Sequence, residues 1–382
     1  DDFIIKKSKI RGEVSFGMIC SERELGLSDE HEGIMVLNEH AKIGSDFADY
    51  LSSNLDYLEI DLTPNRPDCM SHVGVAREIS VKTGQELKFT YAEKRQFKKN
   101  EVADILSVNI DDKNCCPRYV AGVVKNITVG PSPDWMREIL ETAGQRSINN
   151  IVDISNYVLL EMGHPTHIFD YDKVPSHTIG IRKAKKGEHV TTLDEEKRKL
   201  TDQLVITDGK KPIAIAGVMG GLDSAVTDTT STVLIESAYF DPITIRRGAK
   251  SLGMFTEASK RFERGADPKG AENAYWRVVE LLEELAGGEW VPGIIDEYPK
   301  KINQNSITLT REKIDILSGC ELSDTFVTDT LSNLDIEVKK DGSNKWTCIP
   351  PSFRPDLERE VDLIEECCRV YGFDKIHSSF HY

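Results

Sequence analysis

Three carboxylates near the C-terminus have a spacing that could do chemistry. Asp362, Glu365 and Glu366 lie in a predicted helix that begins after Pro355 and Asp356. Residues three and four positions apart share one face of a helix, so these carboxylates would lie within one turn and repel one another. A cation or a basic partner would relieve the repulsion. The alternative is a solvated acidic face opposite the apolar side of the helix.

An acid and a histidine in the middle of the chain are further candidates. Glu236 follows Val233–Ile235 in an apolar strand pattern, and a buried acid there needs a partner or ionises reluctantly. If this strand lies at an edge with Glu236 toward solvent, the acid has no special role. His167 lies in a turn-forming stretch, which suits chemistry better than a core position, although most loop histidines do none.

A glycine-rich segment, Ile215–Gly221, has the composition of a ligand-binding loop. It lacks the spacing of both common nucleotide-binding motifs. Its glycines are typical of a tight turn after a strand, and the missing side chains would also leave room for a ligand against the backbone.

The cysteines favour a reduced, cytoplasmic protein. The eight thiols occur as singles and as two adjacent pairs, with no C-x-x-C motif. A zinc site is disfavoured, because His164 and His167 have no neighbouring Cys or His that would complete four ligands.

Length and composition indicate a soluble protein of several domains. The 382 residues exceed the size of a single core, and 39% apolar with 29% charged residues suits globular folding. No apolar run is long enough for a membrane span, and we expect no membrane. The N-terminus lacks a signal-peptide pattern. The absence of a starting Met indicates an excised fragment. The net charge of −16 argues against a free-standing nucleic-acid binder.

The hydrophobic pattern predicts a multidomain α+β fold rather than a regular βαβ repeat. It predicts short strands over residues 34–37 and 58–62, and a helix over about 70–82 capped by Asp68 and ended by Gly84. Another helix is expected over about 270–286, ended by Gly287 and Gly288. The C-terminal part reads as two short helices, a hairpin turning at Asp341-Gly342, and a final helix over about 357–371, which resembles a winged helix.

Many ordered motifs together resemble the β subunit of bacterial phenylalanyl-tRNA synthetase. They extend over nearly the whole chain, so a chance resemblance is negligible. The matching segments are Gly12–Ser21, Glu24–Leu27, Thr63–Cys69, Gly74–Glu78, Arg146–Ile148, Asp153–Leu160, Gly163–Asp170, Ala216–Gly221, Thr256–Ser259, Arg261–Gly265, Asp267-Pro268, Pro351–Asp356 and Arg369–Gly372.

The resemblance implies a cytoplasmic enzyme of two α and two β subunits that acts on tRNA(Phe), with no DNA. The α subunit would perform ATP-dependent charging with Mg²⁺, and β would hydrolyse mischarged Tyr-tRNA(Phe). Most of a tRNA-binding OB-fold would be missing before Asp1, as would further domains after Tyr382. The implied divisions are an OB-fold remnant at 1–27, a small core domain at 28–98, an α/β editing module at 99–290, a linker at 291–304 and a winged-helix-like module at 305–382.

The resemblance also assigns site residues. The editing pocket would be lined by Arg146, His167, Gly217, Gly220, Glu236, Thr256 and Ala258. Glu236 would accept a hydrogen bond from the substrate's phenolic hydroxyl, so that Tyr is held and Phe is rejected. His167 and Thr256 would orient the ester and the attacking water, the identity of the base staying open. Mg²⁺ would be bound by Asp356, Asp362, Glu365 and Glu366 near the α-subunit contact.

Two other functions compete with editing. One is a non-catalytic module that binds tRNA or DNA through the winged helix, against which the acidic charge speaks. The other is a subunit-interaction scaffold with a degenerate pocket. Neither should hydrolyse Tyr-tRNA(Phe).

Overall fold

The computed structural model describes residues 6–27, 31, 33–37, 41–51 and 57–376. The chain divides into two units, Asp1–Asp56 and Tyr57–Tyr382. Within the described residues, no helix is long and apolar enough to cross a membrane.

The first unit contains a short hairpin and a short helix. Strands β1 (Ser8–Ile10) and β2 (Glu13–Ser15) pair antiparallel, and α1 spans Phe47–Leu51. Arg11 and Gly12 form the turn, and both have positive φ, as a tight two-residue hairpin requires. The strand predicted over 34–37 is wrong, because these residues have no regular structure, and Val36 is 85% exposed.

The second unit begins with an extended segment and a helix. The strand predicted over 58–62 is also wrong, since this segment is irregular and exposed. Helix α2 spans His72–Thr83 and ends at Gly84, as predicted. Its N-cap is Ser71 rather than Asp68, because the Ser71 hydroxyl accepts a 3.0 Å hydrogen bond from the Gly74 amide.

The central block, residues 101–297, mixes helices and strands, which confirms the expected combination of α and β structure. Its elements in chain order are α3 Val102–Ile105, β3 Ser107–Ile110, β4 Arg118–Lys125, α4 Asp134–Thr142, α5 Asn150–Met162, β5 Thr166–Asp170, β6 Thr178–Lys183, β7 His189–Thr191, β8 Lys197–Lys199, β9 Leu204–Thr207, β10 Pro212–Ile215, β11 Met219–Gly220, β12 Val233–Tyr239, α6 Pro242–Leu252, α7 Glu257–Arg264, α8 Gly270–Ala286, β13 Glu289–Trp290 and β14 Ile295–Glu297.

Two sheets of the central block enclose its main core. In the described part of the chain, one sheet has the order β11-β10-β9-β6-β3, and the other has the order β13-β4-β12-β5, with β14 also paired to β4. Apolar side chains from the facing sides of both sheets form one continuous buried cluster. The opposite face of the second sheet packs against α4, α5 and α8. Strand β12 therefore lies between two buried layers.

The segment predicted as a linker, 291–304, contributes to this block. Strand β14 pairs antiparallel with β4, with Ile295 opposite Ala121, and Ile295 is buried. The Pro and charged residues that suggested a boundary flank a strand of only three residues, which a period-two pattern could not reveal.

The C-terminal block, residues 307–376, has its own core. Its elements are β15 Ile307–Thr310, α9 Arg311–Ser318, α10 Asp324–Asn333, β16 Glu337–Lys340, β17 Lys345–Ile349 and α11 Glu360–Tyr371. The predicted order of helix, helix, hairpin and helix is therefore present. A third strand, β15, was not predicted and pairs with β17. The description as a winged helix stays a prediction.

Candidate functional site

Glu236 and His167 are direct neighbours across two strands. They are opposed in the antiparallel register of β12 and β5, so their side chains lie on one face of the sheet. That face also carries Leu234 and Phe169, which belong to the core between the two sheets. A carboxyl group and an imidazole are thus placed together inside an otherwise apolar layer.

Tyr119 holds the Glu236 carboxyl group. Its hydroxyl donates a 2.7 Å hydrogen bond to Oε2 of Glu236, and Tyr119 itself is fully buried. Within the described residues, Oε1 of Glu236 has no hydrogen-bond partner. Burial raises the pKa of Glu236 to about 7 and raises the pKa of the Tyr119 phenol well above its usual range. Glu236 can therefore change its charge near neutral pH, with one oxygen still able to accept a hydrogen bond.

His167 presents a polar atom without a partner. Its Nε2 is buried and forms no hydrogen bond within the described residues. Burial lowers the pKa of His167 to about 4, so the imidazole is neutral at pH 7. Phe169 packs edge-on against the ring, with centroids 4.4 Å apart. A buried nitrogen without a partner is costly, and a ligand that bonds to it would recover that cost.

The predicted glycines form a hairpin beside His167. Gly217 lies in the turn between β10 and β11 with φ of +65°, where a side chain would be strained. A β-carbon at Gly220 would overlap the His167 imidazole and would lie 3.3 Å from Cδ1 of Leu193. Gly220 is therefore required for the backbone to approach His167, and Leu193 lines the same place.

Thr256 anchors this hairpin to a helix. Its Oγ1 donates a 2.8 Å hydrogen bond to the Val218 carbonyl oxygen and accepts one of 3.1 Å from the Ser259 amide, as the N-cap of α7. The hydroxyl thus has both a donor and an acceptor role within the protein. This arrangement suits a positioning role for Thr256.

Two other predicted pocket residues form no side-chain hydrogen bond or ion pair with this cluster in the part of the chain that the structure describes. Ala258 lies half-buried in the first turn of α7, two residues after Thr256. Arg146 is exposed in the loop between α4 and α5. The structure thus brings Glu236, His167 and Gly220 together. Gly217 and Thr256 join this cluster because Val218, which follows Gly217, accepts the Thr256 hydrogen bond.

Two lining residues were missed from the sequence. Tyr119 lies on β4, diagonally across from Glu236, and Leu193 follows β7. A strand tyrosine and a loop leucine are common in any core, so no local signal distinguished them. Tyr119 is placed here by the pairing of β4 with β12. Leu193 is placed here by its amide, which donates to the Gly220 carbonyl oxygen at 3.1 Å.

The carboxylates predicted to bind Mg²⁺ are held by arginines instead. Arg354, which is 2% exposed, donates to both carboxylate oxygens of Asp356 at 2.9 and 2.7 Å and to Glu366 at 3.1 Å. Arg369 bonds Glu366 at 2.5 Å and also pairs with Glu78 of α2 at 2.6 Å. The cation between Asp356 and Glu366 is therefore a guanidinium group.

Asp362 and Glu365 do not complete a metal site either. The Asp362 carboxylate accepts hydrogen bonds from the backbone amides of Glu358 and Arg359 at the start of α11. The Arg359 side chain also donates to this carboxylate. Glu365 is exposed. As arranged, these residues do not fit a magnesium ion, and the prediction overlooked the arginines. Among the described residues, Asp68, Cys69 and Glu78 place ligand atoms within 4.8 Å of one another, but Arg66 occupies that position by bonding both acids.

The second unit also contains a cleft that is lined by other residues. It is formed where α2, the end of α5 and the start of α8 meet, and it is lined by Arg77, His164, Asp267 and Phe353 among others. None of the predicted site residues lines it. Both nitrogens of His164 are buried, and burial lowers the pKa of His164 to about 3.

Comparison with protein families identifies two domains in this arrangement. Residues 115–287 match the B3/4 domain, which contains β4 to α8 and hence the Glu236 cluster. Residues 307–373 match the tRNA synthetase B5 domain, which contains the arginine-bridged helix α11. One of the two matched domains is thus a domain named for tRNA synthetases.

Relatives define the family more closely. The chain is 46% identical over 380 residues to the phenylalanine–tRNA ligase beta subunit of Geobacter sulfurreducens, covering 99% of this chain and 47% of the relative. It is 43% identical over 378 residues to the subunit of the same name from Fusobacterium nucleatum, again covering 99% and 47%. The chain belongs to the phenylalanine–tRNA ligase beta-subunit family and spans about half the length of the curated relatives it matches.

A solved structure shows a more distant similarity. It is an N-terminal fragment of the phenylalanyl-tRNA synthetase beta subunit from Pyrococcus horikoshii, with 19% sequence identity and a TM-score of 0.42. The match covers 81% of this chain and 84% of that chain.

Proposed function

We propose that this chain carries an editing site that hydrolyses the ester bond of mischarged Tyr-tRNA(Phe). The site is the Glu236 cluster of the B3/4 domain. The charging of tRNA with Phe, which consumes ATP, would need an α subunit, and the assembly would be a cytoplasmic tetramer of two α and two β chains.

The single observation that carries the proposal is the buried pair of polar groups with unused hydrogen-bonding atoms. The side chains of Glu236 and His167 lie on one face within an apolar core, beside Gly220. Among the described residues, Oε1 of Glu236 and Nε2 of His167 have no hydrogen-bond partner. If Glu236 and His167 had only a structural role, we would expect these two atoms to bond to other core residues. A ligand with a terminal hydroxyl would satisfy these polar atoms.

Selection of Tyr over Phe follows from the same atoms. The substrate phenol can donate to Oε1 of Glu236, while the Tyr119 hydroxyl keeps the carboxyl group oriented through Oε2. Phe would leave this oxygen of a buried carboxyl group without a donor, and sites of this kind reject the analogue lacking the hydroxyl by about 10⁴ to 10⁵. Correctly charged tRNA is then spared.

The hydrolytic step needs a water, a proton acceptor and an oriented ester. Water oxygen bonds to the ester carbonyl carbon, the bond from that carbon to the ribose oxygen breaks, and the ribose oxygen takes up a proton. His167 is neutral at pH 7, so its Nε2 can accept or donate a hydrogen bond to the ester or to the water. Thr256 acts as a positioning residue by fixing the hairpin through the Val218 carbonyl oxygen.

The test is deacylation of Tyr-tRNA(Phe) and Phe-tRNA(Phe) by the purified chain. We expect hydrolysis of the tyrosyl ester above the uncatalysed rate, little hydrolysis of the phenylalanyl ester, and loss of activity in His167→Ala. Glu337→Gln, which changes an exposed acid on β16, is the matched control and should keep full activity. If the chain binds tRNA but leaves the tyrosyl ester intact, the proposal is wrong and a non-catalytic tRNA-binding or subunit-interaction module is favoured.

A further inference from the structure

The glycine hairpin of β10 and β11 is held by two other segments. The Leu193 amide donates to the Gly220 carbonyl oxygen at 3.1 Å, and the Thr256 hydroxyl donates to the Val218 carbonyl oxygen at 2.8 Å. Val218 lies in the turn of this hairpin, and Gly220 lies in β11, two residues later. Leu193 and Thr256 therefore both bond to the arm of the glycine hairpin that approaches His167.

Both segments expose an apolar side chain at this place. Leu193 is 45% exposed and lies against Gly220, and Phe255, the residue before Thr256, is 71% exposed. Phe255 is fixed between two anchored neighbours, since Met254 is buried in the core and Thr256 is bonded to the hairpin. The anchored neighbours therefore hold the Phe255 side chain in its exposed position.

Helix α6, which ends three residues before Phe255, adds positive charge nearby. Arg246, Arg247 and Lys250 are exposed, and in the part of the chain that the structure describes none of them has an acidic partner. The opposite face of the helix is buried through Ile245 and Ala249. In a chain of net charge −16, three unpaired cations on one helix next to an exposed aromatic ring point to an anionic partner with a stacking group.

We propose that Phe255 is the stacking platform for the adenine of the terminal 3′ adenosine of the aminoacyl-tRNA, with Leu193 as its apolar neighbour. This inference rests on the proposed function. The ester of an aminoacyl-tRNA joins the amino acid to the ribose of that adenosine, so a substrate whose amino acid lies beside His167 has its terminal base at the rim of the same hairpin. Exposed aromatic rings recognise unpaired bases by stacking. The cations of α6 then lie where the preceding phosphates approach.

The experiment uses two probes that cannot be hydrolysed, titrated by calorimetry into the chain. One is tyrosinamide, and the other is an adenosine that carries tyrosine through an amide bond at its 3′ position. Phe255→Ala should weaken binding of the adenosine probe by about 5- to 150-fold and leave binding of tyrosinamide unchanged. Phe255→Trp should restore binding of the adenosine probe. Phe373→Ala removes another phenylalanine, 60% exposed and in the B5 domain, and should change neither affinity.

The outcomes separate this inference from the proposed function. If the wild-type chain binds both probes and hydrolyses Tyr-tRNA(Phe) while Phe255→Ala binds the adenosine probe as tightly as wild type, only the platform is refuted. Equal weakening of both probes by Phe255→Ala would show a structural role and would also refute it. If the wild-type chain binds neither probe and hydrolyses no tyrosyl ester, the proposed function itself fails.

Discussion

Replacement of Glu236 by Gln should stabilise the protein at alkaline pH but not at acidic pH. The pKa of Glu236 rises from 4.5 to about 7 because burial disfavours the charged carboxylate. The folded state therefore binds this proton more tightly than the unfolded state does. Below about pH 4.5 the group is protonated in both states and has no effect on stability. As the pH rises from about 4.5 to 7, ionisation destabilises the fold, and above pH 7 the loss is constant.

The magnitude follows from the pKa difference. Each pKa unit corresponds to about 1.4 kcal/mol, so the carboxylate costs about 3 kcal/mol of folding free energy at pH 8. Gln has nearly the same shape, is neutral at all these pH values, and offers an oxygen to the Tyr119 hydroxyl. The free energy of unfolding of Glu236→Gln should thus exceed that of wild type by up to about 3 kcal/mol at pH 8 and by about 0 at pH 4.

Urea unfolding of both proteins at pH 4, 6 and 8 measures this difference. Glu337→Gln serves as the control because Glu337 is exposed on β16, and its difference from wild type should not change with pH in this way. A Glu236→Gln effect of the same size at all three pH values would refute the reasoning. It would mean that Glu236 keeps an ordinary pKa in the folded state and is well solvated.

Three other predictions test the cluster and the arginine network. Glu236→Ala should slow hydrolysis of Tyr-tRNA(Phe) in single-turnover assays while hydrolysis of Phe-tRNA(Phe) holds or rises, and an equal loss for both substrates would show a catalytic or structural role instead. Glu78→Gln should lower the free energy of unfolding by about 1–3 kcal/mol, because Arg66 and Arg369 both lose an anionic acceptor. An unchanged free energy of unfolding in urea would show that the contacts are solvated. Asp362→Ala should lower stability by about 0.5–2 kcal/mol, because the Glu358 and Arg359 amides at the start of α11 lose their acceptor, whereas Glu365→Ala should have little effect. Equal thermal shifts in the two variants would contradict this assignment.

Local patterns predicted the elements that local physics determines. The long apolar face and the Gly287-Gly288 stop gave α8 its observed bounds, and Asp341-Gly342 marked the turn between β16 and β17. The strands predicted over 34–37 and 58–62 failed because apolar residues alone do not form a strand without a partner strand, and these segments have none among the described residues. Strand β14 was missed because its pairing with β4 joins residues far apart in sequence.

In the candidate site, too, local sequence predicted some features, and contacts between distant residues determined the others. The apolar surroundings of Glu236 indicated an acid that ionises reluctantly, and its raised pKa agrees with that expectation. The Tyr119 hydroxyl that bonds it comes from 117 residues away, and no local signal identifies such a partner. For α11, the spacing of carboxylates correctly indicated a need for positive charge. It could not indicate that Arg354 and Arg369 supply this charge within the chain.

The stability of the fold and the proposed specificity both depend on the burial of the Glu236 carboxyl group. An oxygen that discriminates Tyr from Phe must be desolvated and without a protein donor, and both conditions destabilise its charged form. Tyr119 limits this destabilisation by bonding Oε2, yet it leaves Oε1 unused. A second internal donor would lower the pKa of Glu236 and stabilise the fold, but it would also satisfy the oxygen in the absence of substrate. Phe would then no longer leave it unpaired, so in the proposed site a more stable Glu236 would be a less selective one.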